Sequence, residues 1–211
     1  EPEGTTVKYG TTAGEYTLDE APAYTDAGEY TIYYQVTKAN YTTVENSAVV
    51  SIQKAAASIS YETTAVSKTT NDEAFVNALT MTGDGTVTYS SDNVNVATVN
   101  SETGEVTIKG SGNATIKATV ADGTNYTYEN KTASYLVSVG KAAMEVTANG
   151  YTGTYDEQAH GITVNVTDPA TGATVKYGTE EGTYNLDASP TQTEVGEKTV
   201  YYQVTADNYT T

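Results

Sequence analysis

From Tyr30 to Thr37 the chain alternates: Ile32, Tyr34 and Val36 point to one face, and Thr31, Tyr33, Gln35 and Thr37 to the other. This period of two is that of a half-buried strand. It recurs at Val87 and Tyr89, from Val96 to Val99, at Val106 and Ile108, at Ile116, Ala118 and Val120, and at Tyr135, Val137 and Val139. Between these runs lie Gly83-Asp84-Gly85, Ser101 to Gly104, Gly110-Ser111-Gly112 and Asp122-Gly123, which supply the positive-φ or Asx geometry of hairpin turns. Short strands with turns at this spacing predict a β-sandwich. The one segment open to a helical turn is Asn71 to Leu79, where Asp72 and Glu73 precede Ala74, Phe75 and Ala78.

A second pattern runs at longer range. Val7-Lys8-Tyr9-Gly10 returns as Val175-Lys176-Tyr177-Gly178, an offset of 175 minus 7, or 168 residues. Tyr33-Tyr34-Gln35-Val36-Thr37 returns at the same offset as Tyr201-Tyr202-Gln203-Val204-Thr205. Gly14, Leu18, Asp19, Pro22, Gly28 and residues 40–43 also match Gly182, Leu186, Asp187, Pro190, Gly196 and residues 208–211 without a gap. Lys54-Ala55-Ala56 and Lys141-Ala142-Ala143 each follow an alternating strand and mark module junctions. The expected modules are therefore 1–54, 55–141 and 142–211, the outer two being copies of one type. Both copies read as incomplete: the first lacks a counterpart of Met144 to Val166, the second of Ser47 to Ile52. A parent protein with this period would be sampled over about one and a quarter repeats of a longer array.

Composition agrees with an all-β chain. Thr, Tyr and Val dominate, with 19 Tyr against a single Phe, and such residues fit a pleated surface better than a helix. The charge of -17, from 10 Lys plus Arg against 27 Asp plus Glu, keeps the chain soluble and argues against a nucleic-acid partner. With no cysteine, disulfides, thiol nucleophiles and zinc-thiolate sites are excluded. No run of about 18 apolar residues occurs, so no membrane insertion is expected within the sequence, and the N-terminus lacks a signal-peptide pattern. Any signal or anchor is expected outside it.

Residues 86–120 contain Thr86-Val87-Thr88-Tyr89-Ser90-Ser91-Asp92-Asn93, Val96-Ala97-Thr98-Val99, Gly104-Glu105-Val106-Thr107-Ile108 and Gly112-Asn113-Ala114-Thr115-Ile116. This series resembles a group 2 bacterial immunoglobulin-like domain, with Tyr89 where that family usually has Trp. The outer segments, with Tyr151-Thr152-Gly153-Thr154-Tyr155-Asp156 and the repeated Val-Lys-Tyr-Gly, resemble the short repeat modules of bacterial surface adhesins. Asp26-Ala27-Gly28-Glu29-Tyr30 has the form of a tyrosine corner, whose hydroxyl would reach upstream backbone; its copy, residues 194–198, lacks that Tyr. The resemblance implies an all-β fold of tandem immunoglobulin-like β-sandwich modules in an elongated array, in an extracellular or cell-surface protein of a bacterium.

Candidate chemistry is thin. A Ser-His-Asp site would need His160, the single histidine, and no Gly-x-Ser-x-Gly elbow accompanies it; a turn residue is the plainer reading. Paired carboxylates for glycoside hydrolysis have a cheaper explanation in an acidic solvated surface. Asp84, Asp92 and Asp122 lie near turns, and hard cations favour such oxygens; no Asp-x-Asp-x-Asp-Gly loop is present, so no cofactor is expected and calcium is the one ligand left open. The tyrosines at Tyr33 and Tyr201 are expected on an exposed face, where they would suit a sugar or protein partner, although strand propensity accounts for them too. The Asn-x-Thr triplets at Asn40, Asn113, Asn125, Asn130, Asn165 and Asn208 read as coincidence in a Thr-rich chain, and nothing selects a Lys-Asn isopeptide trio. No catalytic, cofactor or metal residue is assigned, and the chain is not expected to be an enzyme.

The leading expectation is a structural spacer or stalk, its partners being the neighbouring modules of the same chain and, where it adheres, host or cell-surface glycans or proteins. The alternatives are a carbohydrate- or protein-binding module and a filament subunit assembled by strand exchange.

Overall fold

The structure, a computed structural model, describes residues 3–211. The described residues contain no helix and a long series of strands. The first segment holds β1 (Thr5–Gly10), β2 (Gly28–Lys38) and β3 (Val44–Ile52). They form one antiparallel sheet in the order β1-β2-β3, with Val7 opposite Val36 and Val36 opposite Val44.

The middle segment holds β4 (Ala55–Ala57), β5 (Ile59–Tyr61), β6 (Ala65–Thr69), β7 (Phe75–Val76), β8 (Leu79–Met81), β9 (Thr86–Ser91), β10 (Ala97–Val99), β11 (Glu105–Ile108), β12 (Gly112–Ala121), β13 (Tyr126–Tyr128) and β14 (Thr132–Gly140). Its largest sheet has the order β6-β14-β12-β9, beside β10-β11-β7, β5-β8 and β13-β4. Two pairings are parallel, β4 with β13 and β6 with β14. The last segment adds β15 (Glu145–Asn149), β16 (Thr163–Asp168), β17 (Thr174–Gly178) and β18 (Tyr201–Thr205), paired as β15-β16 and β17-β18.

The strands expected around Val87, Val96, Val106, Ile116 and Tyr135 are present as β9, β10, β11, β12 and β14. In β12, Ala114, Ile116, Ala118 and Val120 are buried and alternate with more exposed neighbours. The helical turn at Asn71 to Leu79 does not form. There Phe75 pairs opposite Val106 in β11, so the segment joins a sheet, and Asp72 accepts the backbone amide of Thr69 (2.6 Å) across the turn ahead of it. Tyr89 is half-buried on β9.

The chain divides into two compact units. One takes in the residues up to Glu62 with Ala78–Tyr89 and Lys117–Ser134; the other takes in Thr63–Asn77, Ser90–Ile116 and Tyr135–Thr211. In the first, Ile59, Val120 and Tyr128 form a buried cluster, with Leu79, Met81 and Val87 packed against it. This layers the β5-β8 sheet on residues of β9, β12 and β13. Tyr128 keeps its hydroxyl satisfied inside, donating to Thr82 O (2.7 Å) and accepting from Gly85 N (3.1 Å), as a buried phenol must. In the second unit the buried side chains include Val106, Ile116, Val137 and Val204. Apart from Ile32, Ala142 and Val204, the buried apolar residues all fall between Ile59 and Val139.

The two repeat copies fold alike along β1-β2 and β17-β18. Lys8 faces Gln35 and Lys176 faces Gln203; Tyr9 faces Tyr34 and Tyr177 faces Tyr202. Lys8 pairs with Asp19, and Lys176 with Asp187. Gly10 and Gly178 are required in both: a Cβ at either would lie 1.7 Å from a carbonyl oxygen, of Glu15 or of Thr183.

Candidate functional site

The polar contacts of longest sequence separation gather where the repeat copies meet the middle segment. At the first joint, every polar atom of Asn125 is used. Its backbone N–H donates to Asp84 Oδ2 (2.9 Å), its carbonyl accepts from Ala55 N (2.9 Å), its side-chain oxygen accepts from Ala27 N (2.6 Å) and its side-chain nitrogen donates to Asp26 Oδ1 (2.9 Å). Lys54 reaches the carbonyl of Gly123 (2.7 Å) beside it. Gly123 leaves room for this turn, since a Cβ there would sit 1.8 Å from Asp84 Oδ1. Asp26 is held in turn by the corner expected from sequence: the Tyr30 hydroxyl donates to its carbonyl (3.0 Å), and the Tyr30 ring stacks on Tyr24 at 3.8 Å.

A different set of groups makes the second joint. The hydroxyl of Tyr209 donates to Asp168 Oδ1 (2.7 Å) with Asn71 Oδ1 2.8 Å away, and Asn71 Nδ2 donates to Asp168 Oδ2 (2.8 Å). The carboxylate beside it raises the Tyr209 hydroxyl above the usual tyrosine pKa. Thr70 Oγ1 donates to Asn208 O (2.6 Å), Ala142 N donates to that carbonyl (3.0 Å), and Thr210 N donates to Ala142 O (2.9 Å). Asn208 adopts φ 64, as Asn40 does with φ 65 in the first copy, a left-handed conformation that Asn tolerates better than most residues. Lys54, Ala55 and Ala142 each take part in these bonds.

His160 lies in neither joint. Its Nε2 contacts both oxygens of Asp156 (2.9 and 3.1 Å), and Tyr151 stacks on its ring at 3.5 Å. The bond to His160 is the main reason the Asp156 carboxyl lies below the usual range. These residues line a cleft of about 570 Å³ with Tyr155, Gln192 and Lys198.

The three turn acids are not brought together. Asp84 serves Asn125, Asp92 accepts Thr115 N (2.6 Å), and Asp122 accepts Tyr128 N (3.0 Å) while pairing with Lys131 (2.7 Å). Among the described residues no group of three or more acidic or histidine side chains is gathered to hold a metal. Tyr33 and Tyr201, expected on an exposed face, are half-buried in their strands. The tyrosines that do stand open are Tyr41, Tyr155, Tyr151 and Tyr202. Asn125, Asn71 and Asp168 had no signal in the sequence, because each acts on residues far along the chain.

Comparison with known proteins bears on this architecture. Residues 76–122 match the family model described as intimin, immunoglobulin-like domain. Over 130 residues the chain is 33% identical to intimin of Escherichia coli O111:H-, covering 58% of this chain and 13% of that protein. Over 61 residues it is 43% identical to intimin of Escherichia coli O157:H7, covering 29% of this chain and 6% of that protein. The chain thus spans a small part of the length of these relatives. Among solved structures, Drosophila N-cadherin EC1-3 is similar over 98% of this chain and 85% of its own, at 12% identity and a TM-score of 0.39. The C-terminal 282-residue fragment of intimin, in complex with the intimin-binding domain of the translocated intimin receptor, is similar over 69% and 55%, at 17% identity and a TM-score of 0.26.

The described fold is all-β, and the family match falls in the segment that resembled a bacterial immunoglobulin-like domain from sequence. Residues 76–122 thus carry intimin-like immunoglobulin-like sequence.

Proposed function

We propose that the chain is a non-enzymatic spacer within a bacterial surface adhesin, in which modules 1–54, 55–141 and 142–211 follow one another and position an adhesive part of the same protein. The observation that carries this is the saturation of Asn125. A flexible linker leaves its polar groups to water, whereas here one residue makes four hydrogen bonds, two of them to residues 98 and 99 positions away. Asp168, Asn71 and Tyr209 do the same work at the other joint. The identity to intimin supports the adhesin context, and the partners closest to hand are the neighbouring modules themselves.

Small-angle scattering tests the reading. A compact globule of this length would have a radius of gyration of about 17 Å. The spacer requires a clearly larger value that stays constant between low and high salt; a value near that of the globule removes it.

A further inference from the structure

The two parallel pairings of the middle segment each join distant stretches of the chain. β4, which follows Lys54 directly, pairs with β13 from Ala55 opposite Tyr126 to Ala57 opposite Tyr128. β6 pairs with β14, the last strand of that segment, from Ala65 opposite Leu136 to Thr69 opposite Gly140. Each pairing lies within one of the two compact units. Two bonds close the ends of the second ladder: Leu136 N donates to Thr64 O (3.0 Å), and Thr70 N donates to Gly140 O (3.0 Å). The even spacing of a parallel ladder assigns the amides of Val66 and Lys68, between these ends, to β14 as well. The alternate amides of β6 point away from it, and that of Thr69 is taken by Asp72 (2.6 Å). On β14, Val137 and Val139 are buried, so this ladder borders the core. Beyond its end, Thr70 Oγ1 accepts the amide of Ala142 (3.1 Å).

We propose that the two parallel pairings are mechanical clamps, and that β6–β14 bears tension carried along the chain through the middle segment. Tension reaches β6 at its start, from Glu62, and leaves β14 at its end, through Lys141. Because the two strands run in the same direction, these pulls act along one axis in opposite senses. The bonds from Thr64 to Gly140 then share the load and give way together. A pair pulled from matching ends opens one bond at a time, and each such bond is weak by itself. β4 meets load in the same manner: drawn toward its start by Lys54, it must slide along β13 rather than peel from it. This goes beyond the spacer reading and does not depend on it.

The chain has no cysteine, so pairs of introduced cysteines give unique handles for single-molecule pulling on all 211 residues. Glu62→Cys with Lys141→Cys loads β6–β14 along its length, and Glu62→Cys with Ser134→Cys pulls the same ladder from matching ends; all three positions are exposed. At one loading rate the first pair should rupture at a force about twofold or more above the second, because forced unfolding follows the unfolding barrier and not the equilibrium stability. Val66→Pro removes a ladder donor and should lower the first force toward the second. Ser67→Pro, whose amide faces outward from the edge strand β6, should leave it unchanged. The comparison of the two pulling directions uses an unsubstituted β6, so it stands even where a proline variant fails to fold. Equal forces in the two directions, or an equal loss from both proline variants, would overturn the proposal. Scattering of the unloaded chain judges the spacer separately.

Discussion

The side-chain oxygen of Asn125 accepts the backbone amide of Ala27, 98 residues earlier, at 2.6 Å. The opposite corner of the same amide donates to Asp26, so one planar group reads two adjacent residues of the first segment and fixes that segment against the Asp84 turn. Asn125→Ala removes both bonds, each worth about 1 kcal/mol net, and should lower the unfolding free energy by about 1–2 kcal/mol in urea titration. Asn125→Asp is the sharper variant. It sets a third carboxylate beside Asp26 and Asp84, so it should be worse than Ala at pH 7 and recover toward Ala near pH 3.

The two copies of Asn-Tyr-Thr-Thr offer an internal control for the second joint. Tyr209 is hydrogen-bonded to Asp168, whereas Tyr41 is 72% exposed. Tyr209→Phe should lower the thermal midpoint measurably, and Tyr41→Phe should leave it unchanged, as surface changes do.

The same hydroxyl gives a base-side signature. Its pKa is raised above the ordinary 10.0 by the bond to Asp168, so its contribution is complete below that value and is lost as pH rises through the raised one. Ultraviolet titration should show one late tyrosinate that Asp168→Asn shifts earlier.

Acid acts through other residues. The Lys131 ammonium holds the Asp122 carboxyl low, helped by the amide of Tyr128, and the amide of Thr115 holds Asp92 low. Their contributions are present above the usual Asp value of 3.8 and vanish as pH falls through the depressed values. Stability measured between pH 5 and pH 2 should therefore fall, and Asp92→Asn or Asp122→Asn should flatten that fall.

Gly10 and Gly178 should be equally intolerant. A methyl group at either meets a carbonyl oxygen at 1.7 Å, so Gly10→Ala and Gly178→Ala must displace backbone at the hairpin end. Each is expected to cost more than about 2 kcal/mol by thermal denaturation.

Much of the fold is legible in the sequence because its signals are local. Alternation located β9 to β12 and β14, and the 168-residue offset carried the β1-β2 register onto β17-β18. The Tyr30 corner was readable because the hydroxyl and its acceptor lie four residues apart. What escaped depends on distant partners. β4, β5 and β8 are three residues each, too short to show a period, and β7 forms where an acidic start suggested a helix because Val106 offers Phe75 a pairing. The joints escaped for the same reason: nothing around Asn125 announces Ala27, and nothing around Asn71 announces Asp168. Tyr33 and Tyr201 were misplaced as exposed since a strand's two faces look alike until their coverage is known.

The uneven distribution of buried side chains has a thermal corollary. Ile32 is the one buried apolar residue ahead of Ile59 among those described, so the β1-β2-β3 sheet excludes little water of its own, while Ile116, Val106 and Val137 are sealed from it. Heat should therefore melt the protein in stages, the leading sheet first and the middle segment last, and a calorimetric trace should broaden or split where a single cooperative domain would give one narrow peak.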